Sequence, residues 1–364
     1  MDVRTVGVEE ELLLVEPGTG QPRAVSGVVM RHAEADDGGE RIGTELQREQ
    51  LEIDTRPSRT LDELAGEIRR RRQAASGAAR AIGAEIVALG TSPLPVEPSL
   101  TPKSRYRWMA EEYGLTTAET LTCGCHVHVA VASDEEGVGV LDRIRAWLPP
   151  LLAMSANSPF WQGRETGYAS YREQVWLRWP SAGPTGLFGS ADSYHGTVRA
   201  LIDSGVLLDE GMIYFDARLS RHYPTVEIRI GDVCLEADDA VLLAALVRAL
   251  VETGGRHWRA GRPPPAVPVE LLRLATWRAS RSGLSGELVH PADGRPVPAR
   301  VVLRALLEHV TPALADVGEL ATVEDLLDGL LARGNGADRQ LRSYRRREKR
   351  GDVVADAISR TLRS

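Results

Sequence analysis

Three consecutive glutamates sit inside an apolar run near the start of the chain, Thr5-Val-Gly-Val-Glu-Glu-Glu-Leu-Leu-Leu-Val15. Apolar residues alternate with others and β-branched valines recur, which predicts a strand. Side chains two apart share one face of a strand. Glu9 and Glu11 therefore point the same way, about 7 Å apart by strand rise. Glu10 points the opposite way with Val6, Val8, Leu12 and Leu14, so its expected role is in packing or at the surface. Two carboxylates side by side on a sheet repel each other. A chain that folds this way has to bring positive charge to them.

Other segments repeat the pattern. In Glu45 to Thr55, Leu51 and Ile53 share one face and Gln50, Glu52 and Asp54 the other, while the direction of Glu45 stays open. In Cys123-Gly-Cys-His-Val-His-Val-Ala-Val131, His126 and His128 share a face. Cys123, Cys125, Val127, Val129 and Val131 take the opposite one. A regular strand thus separates the thiols from the imidazoles, so Cys-x-Cys-His-x-His does not form a tetrahedral zinc site; the cysteines read as small core residues. Thr225-Val-Glu-Ile-Arg-Ile-Gly231 turns Val226, Ile228 and Ile230 inward and Glu227 and Arg229 outward. Met212 to Arg218 is a further expected strand, with Tyr214, Asp216 and Arg218 on one face.

A sheet that is polar on one face and apolar on the other is typical of antiparallel sheets backed by helices. The ordinary explanation of a polar face is solvent. This one lacks lysine and is rich in glutamate and histidine, both metal ligands. Oxygen donors in excess over imidazoles suit Mg²⁺ or Mn²⁺ better than zinc, and several carboxylates point to more than one ion. Clustered divalent ions beside an arginine are common equipment for ATP phosphates. There is no Gly-x-x-x-x-Gly-Lys-Ser/Thr and no Gly-x-Gly-x-x-Gly after a strand, so ATP would be held through metals on a sheet.

The remaining chain reads mostly as helix. Thr60-Leu-Asp-Glu63 is a capping box, followed by an apolar stripe of Leu64, Ile68, Ala75, Ala79 and Ile82. The run Arg69 to Arg72 within it reads as a solvated face. A helix is expected from Glu136 to Ala156, bent or broken at Pro149-Pro150. The aromatic stretch from Phe160 to Trp179 is either a substrate wall or core filling. The last hundred residues look helical, Pro263-Pro-Pro265 marks the joint to them, and the basic Arg345-Arg-Arg-Glu-Lys349 reads as an exposed terminal helix. A net charge of −7 argues against nucleic-acid or membrane partners. Three cysteines give no disulfide framework. With no signal peptide and no apolar run of membrane-spanning length, a cytoplasmic protein is expected.

Gly7-Val-Glu-Glu-Glu-Leu12, Glu45 to Thr55, Cys123-Gly-Cys-His-Val-His-Val129, Ala156-Asn-Ser-Pro-Phe-Trp-Gln-Gly163 and Pro224-Thr-Val-Glu-Ile-Arg-Ile230 occur in this order. Together they resemble the YbdK-type carboxylate–amine ligases, the glutamate–cysteine ligase type 2 family of the glutamine-synthetase-like superfamily. The resemblance implies an α+β fold: a curved, mainly antiparallel half-funnel sheet backed by helices, with a helical C-terminal tail. It implies a single catalytic domain over 1–364, helical from about 265. It also implies ATP and Mg²⁺ (or Mn²⁺) as cofactors and small carboxylate and amine substrates, and it is compatible with a homo-oligomer. Carried over by motif, Glu9, Glu11, Glu45, Glu52, His126 and Glu227 hold metal. Arg229 and Glu227 are the catalytic pair, Arg229 and His128 contact ATP, and Arg172 and Arg218 contact substrate. The implied reaction joins acid to amine through an acyl phosphate, with γ-glutamylcysteine synthesis as a weak or incidental activity. The family often has tryptophan where Phe215 stands, a departure expected to alter the substrate pocket. The alternatives are a glutamine-synthetase-like phosphotransferase of the guanidino kinase type and a non-catalytic ATP- or metal-binding paralogue.

Overall fold

The computed structural model describes residues 3–35 and 42–363. Seven strands form the main sheet: β1 (Val6–Val15), β2 (Ile42–Thr44), β3 (Gln50–Asp54), β4 (Glu85–Val87), β5 (Gly124–Ala130), β6 (Ala217–Leu219) and β7 (Thr225–Asp232). Their order is β2-β3-β1-β5-β7-β6, with β4 against the end of β1. Every pairing is antiparallel. β1 is the longest strand of the sheet and lies between β3 and β5.

The sheet is two-faced where the sequence alternates. Val6, Val8, Val127, Val129, Val226, Ile228 and Ile230 enter one core. The helix Ala237–Arg259 packs there and is buried along most of its length. Val302, Leu303, Leu306, Leu327 and Leu330 of the C-terminal helices belong to the same core, so sheet and tail share one apolar interior. From Leu12 to Val15 the alternation stops. All four side chains are buried, in a second cluster with Ala75, Ala79, Ile86 and Ala357. An unbroken apolar run of this kind marks a strand covered on both faces.

Glu10 follows the period and leaves the polar face, but it does not reach solvent. It is 1% exposed. Its carboxylate accepts from Arg72 Nη2 at 2.6 Å and Nε at 2.8 Å. Arg72 also donates to the carbonyls of Cys234, Leu235 and Thr361. The expectation of a solvated arginine run thus fails at Arg72. Its helix, Leu61–Ala81, turns that residue towards β1, and a buried carboxylate needs a charged partner. The capping box at Thr60 and Glu63 opens this helix.

The helix expected from Glu136 to Ala156 is two helices, Asp134–Ile144 and Leu148–Ser155, joined by a single 3₁₀ turn. The prolines occupy the first turn of the second helix, where the missing N–H costs nothing. The cysteines are all buried and free. Cys125 lies in the main core and Cys123 in the second cluster, not on one common face, because Cys123 precedes the start of β5. Among the described residues no helix is long and apolar enough to cross a membrane.

Candidate active site

Strand register assembles the polar face. Across β1 and β3, Glu9 is opposite Asp54 and Glu11 is opposite Glu52. Across β1 and β5, Glu9 is opposite His126. Across β5 and β7, His128 is opposite Glu227, and across β6 and β7, Arg218 is opposite Glu227. Glu45 follows β2 directly and joins the same face. The ligand atoms form two groups, Glu9 with His126 and Glu227, and Glu11 with Glu45 and Glu52, each with its atoms within 4.8 Å of one another.

The two groups differ electrically. Burial would raise Glu9, but His126 Nδ1 at 3.3 Å and His128 Nε2 at 3.1 Å hold its carboxyl far below the usual range. Glu227 is likewise held low against burial by Arg229 and Arg218. Arg218 Nε donates to it at 2.8 Å, and Arg229 donates to its other oxygen. Burial, then Arg229, lowers His126 to about 4. In the second group, burial and then Glu11 raise Glu45, while burial, Glu45, Glu9 and Asp54 push Glu52 well up. Asp54 rises to about 6 through burial and then Glu9. Glu11 is raised by burial although Arg172 and Arg229 oppose it, and its carboxylate accepts from the Gly124 N–H at 2.6 Å. Carboxyls raised first by burial and, at Glu45, Glu52 and Asp54, next by a neighbouring carboxyl are suited to a divalent cation, which neutralises several oxygens at once.

A cavity of about 250 Å³ opens on this face. Glu9, Glu11, Glu45, Glu52, His126, Arg218 and Arg229 line it. The structure does not bring Arg172 there. This side chain is 1% exposed and lies against β7 beside the cavity, near Glu11 and Trp176, donating towards the carbonyls of Arg229 and Ile230. Glu227 and His128 stand beside the cavity rather than in its wall, and His128 Nδ1 is 3.0 Å from Thr225 Oγ1. The wall also takes Tyr214, which the strand period puts on one face with Arg218, and residues that periodicity could not assign: Arg105 and Tyr106 of the helix Ser104–Tyr113, Trp176 and Trp179. Arg105 pairs with Asp209. Their signal was a local excess of aromatics and arginine, which carries no direction.

The aromatic stretch divides between its two expected roles. Trp176 and Trp179 form wall, whereas Phe160 is fully buried beside Tyr344. Phe215 is also a core residue, 6.1 Å from Phe188, so the departure at this position bears on packing behind Tyr214 and not on the wall. Ala156 to Gly163 is structural as well. Asp232 at the end of β7 accepts from the Asn157 N–H at 2.8 Å, Ser158 Oγ at 2.6 Å and Ser170 Oγ at 2.7 Å. These bonds tie the start of the helix Tyr171–Trp176 to the sheet.

The open antiparallel sheet backed by helices, with this acidic face, is that of an enzyme of the carboxylate–amine ligase class. The chain belongs to glutamate–cysteine ligase family 2, whose sequence model matches residues 5–359. A Streptomyces avermitilis protein named "Putative glutamate--cysteine ligase 2-1" is 55% identical over 360 residues, covering 99% of both chains. A Frankia alni relative, "Putative glutamate--cysteine ligase 2-2", is 52% identical over 372 residues, with 99% of this chain and 97% of that protein covered. Among solved structures, the glutamate–cysteine ligase of Francisella tularensis in complex with AMP has a TM-score of 0.70 at 13% identity, covering 100% of this chain and 90% of that one. The bifunctional glutathione synthetase of Pasteurella multocida has a TM-score of 0.67 at 14% identity, and the match spans 99% of this chain but 53% of that one.

Proposed function

We propose that this ligase uses ATP to convert a substrate carboxylate to an acyl phosphate, which an amine then attacks to form an amide. The observation that carries the proposal is the pair of half-buried to buried ligand groups, Glu9/His126/Glu227 and Glu11/Glu45/Glu52, with Arg229 in the same cavity wall. Each group would hold one divalent cation: two carboxylates with one imidazole in the first and three carboxylates in the second, donor sets that fit Mg²⁺ or Mn²⁺. Bound there, such ions supply positive charge against nucleotide phosphates. The AMP complex of the Francisella enzyme, which shares this fold, supports a nucleotide as a ligand here.

The chain's own residues act around that charge. A carboxylate oxygen attacks the γ-phosphorus and ADP leaves. Arg229 offsets the charge on the transferred phosphoryl group. Glu227 orients Arg229 and Arg218 by accepting from both. The amine then attacks the acyl carbon and inorganic phosphate leaves. Trp176 and Trp179 restrict water, which would hydrolyse the mixed anhydride. The relatives' names make glutamate and cysteine the first acid and amine to assay. The shared core supports one catalytic unit with a helical part from about 265, and three buried free cysteines suit the cytoplasm.

A phosphate-release assay across amino acids and amines with Mg²⁺ or Mn²⁺ tests this. ADP and free phosphate should appear only when both acid and amine are present. ADP with a phosphorylated guanidine and no free phosphate would make the protein a kinase. ATP binding without turnover of any pair would make it a non-catalytic paralogue.

A further inference from the structure

Arg172 is among the largest fully buried side chains of the protein, and it lies against the strand that carries Arg229. β5 and β7 slip by one residue there: Cys125 is opposite Gly231, but Val127 is opposite Ile228. Arg229 and Ile230 together therefore face His126, which is a β-bulge. A bulge breaks the ladder and leaves backbone groups that need other partners. The Arg229 N–H goes to the Asp216 carbonyl at 2.9 Å. The carbonyls of Arg229 and Ile230 face Arg172 Nη2 and Nη1, each at 3.4 Å.

We propose that Arg172 is a positioning residue: its fork of N–H donors holds the β7 bulge and so fixes the direction of Arg229. The catalytic half of this inference rests on the ligase proposal above. Three more observations support it. The Arg172 and Arg229 guanidinium carbons lie 5.4 and 5.8 Å from the centroid of the same ring, Trp176, so one indole sets both. Arg172 is itself pinned, because its N–H donates to Ser158 Oγ at 3.0 Å and Ser158 is bonded to Asp232. Gly124 is shaped for it: a Cβ there would overlap Arg172 Nη2. The glycine between Cys123 and Cys125 thereby leaves room for the guanidinium against β7. Its carboxyl neighbours, Glu11, Glu173, Asp216 and Asp232, give a cation polar surroundings but do not call for a fork. A lysine would satisfy them and could not span two carbonyls.

The test uses the full chain with Arg172→Lys, which keeps the charge, and Gly124→Ala, which displaces the guanidinium without removing it. Hydrogen exchange of peptides covering Val226–Asp232 should speed up in both variants, with the Val6–Val15 strand unchanged. This arm does not depend on the reaction, and unchanged exchange at the bulge overturns the proposal. In phosphate release, Arg172→Lys should lower kcat about 100-fold, the scale of one lost transition-state donor, with KM for acid and amine within about threefold. The double variant Arg172→Lys/Arg229→Lys should be no slower than Arg229→Lys alone, since residues acting as a unit are not additive. The preference for a non-hydrolysable ATP analogue over ADP should fall in Arg172→Lys as it does in Arg229→Lys. A raised KM for the acid with additive losses would instead make Arg172 a substrate contact. If the parent protein turns over no acid and amine pair, the ligase proposal fails, and the exchange arm still decides the role of Arg172.

Discussion

Glu11 and Glu52 stand directly opposite each other on β1 and β3, and Glu45 closes the group from the end of β2. Like charges placed directly opposite across two strands destabilise a sheet. Burial raises all three carboxyls towards the protonated form, which relieves the repulsion, and on the proposed function a cation would do the same.

Removing one member should expose that exchange. Glu52→Gln is expected to weaken Mg²⁺ or Mn²⁺ binding by at least about ten- to hundredfold, the loss that even outer-shell changes bring about at metal sites. Calorimetric titration measures it, and unchanged affinity would remove the Glu11/Glu45/Glu52 group from the metal assignment.

The raised carboxyls set a pH dependence. A group whose folded pKa lies above its unfolded value keeps its proton in the native state while the unfolded chain has lost it, so stability falls as pH rises through that interval. Glu52 is raised well up, and Asp216 and Asp239 rise to about 7, each through burial first. His126, lowered to about 4, acts with the opposite sign but only below its ordinary range. Above about pH 6.5, the ordinary histidine value, the carboxyls dominate. The melting temperature in chelator should drop from pH 6.5 to 8.5, and divalent cation should raise it more at the upper end. Scanning calorimetry in both conditions checks this; a cation shift that shrinks with pH would contradict it.

Glu227 accepts from Arg218 and Arg229 at once. Glu227→Ala removes a candidate ligand and leaves two guanidiniums to reorient. ADP formation should fall at least about 10²–10³-fold, the range seen when one preorganised electrostatic group is lost, with the circular dichroism spectrum retained. Full turnover in this variant would sink the assignment.

Glu10 and Arg72 make a different kind of pair, both nearly inaccessible to water. Arg72→Met leaves a buried carboxylate unpaired and should cost about 3–5 kcal/mol, whereas replacing both partners with apolar residues should cost much less. Urea unfolding measures both. Cation affinity should stay within about twofold, because Glu10 faces away from the ligand groups.

Much of the site was legible in the chain. The two-residue strand period puts Glu9 and Glu11 together, excludes Glu10 and aligns His126 with His128 and Glu227 with Arg229. It also exposes a face rich in carboxylates and free of lysine. These are local properties, fixed by the alternation of side chains along an extended backbone. The capping box of the helix after Thr60 was legible for the same reason.

What the sequence alone determined, then, was which residues share a face and that this face demands positive charge. Tertiary structure decided the rest. It set which strands are neighbours, so that Glu11 meets Glu52 and Glu9 meets His126. It turned Glu45 inward, set Arg218 on Glu227 and supplied Arg72 to Glu10. It slipped β7 by one residue at Arg229 and placed Arg172 against that strand, outside the cavity wall. Pairing order, register and the direction of a helix face depend on contacts between residues far apart in the chain, and no local period encodes them.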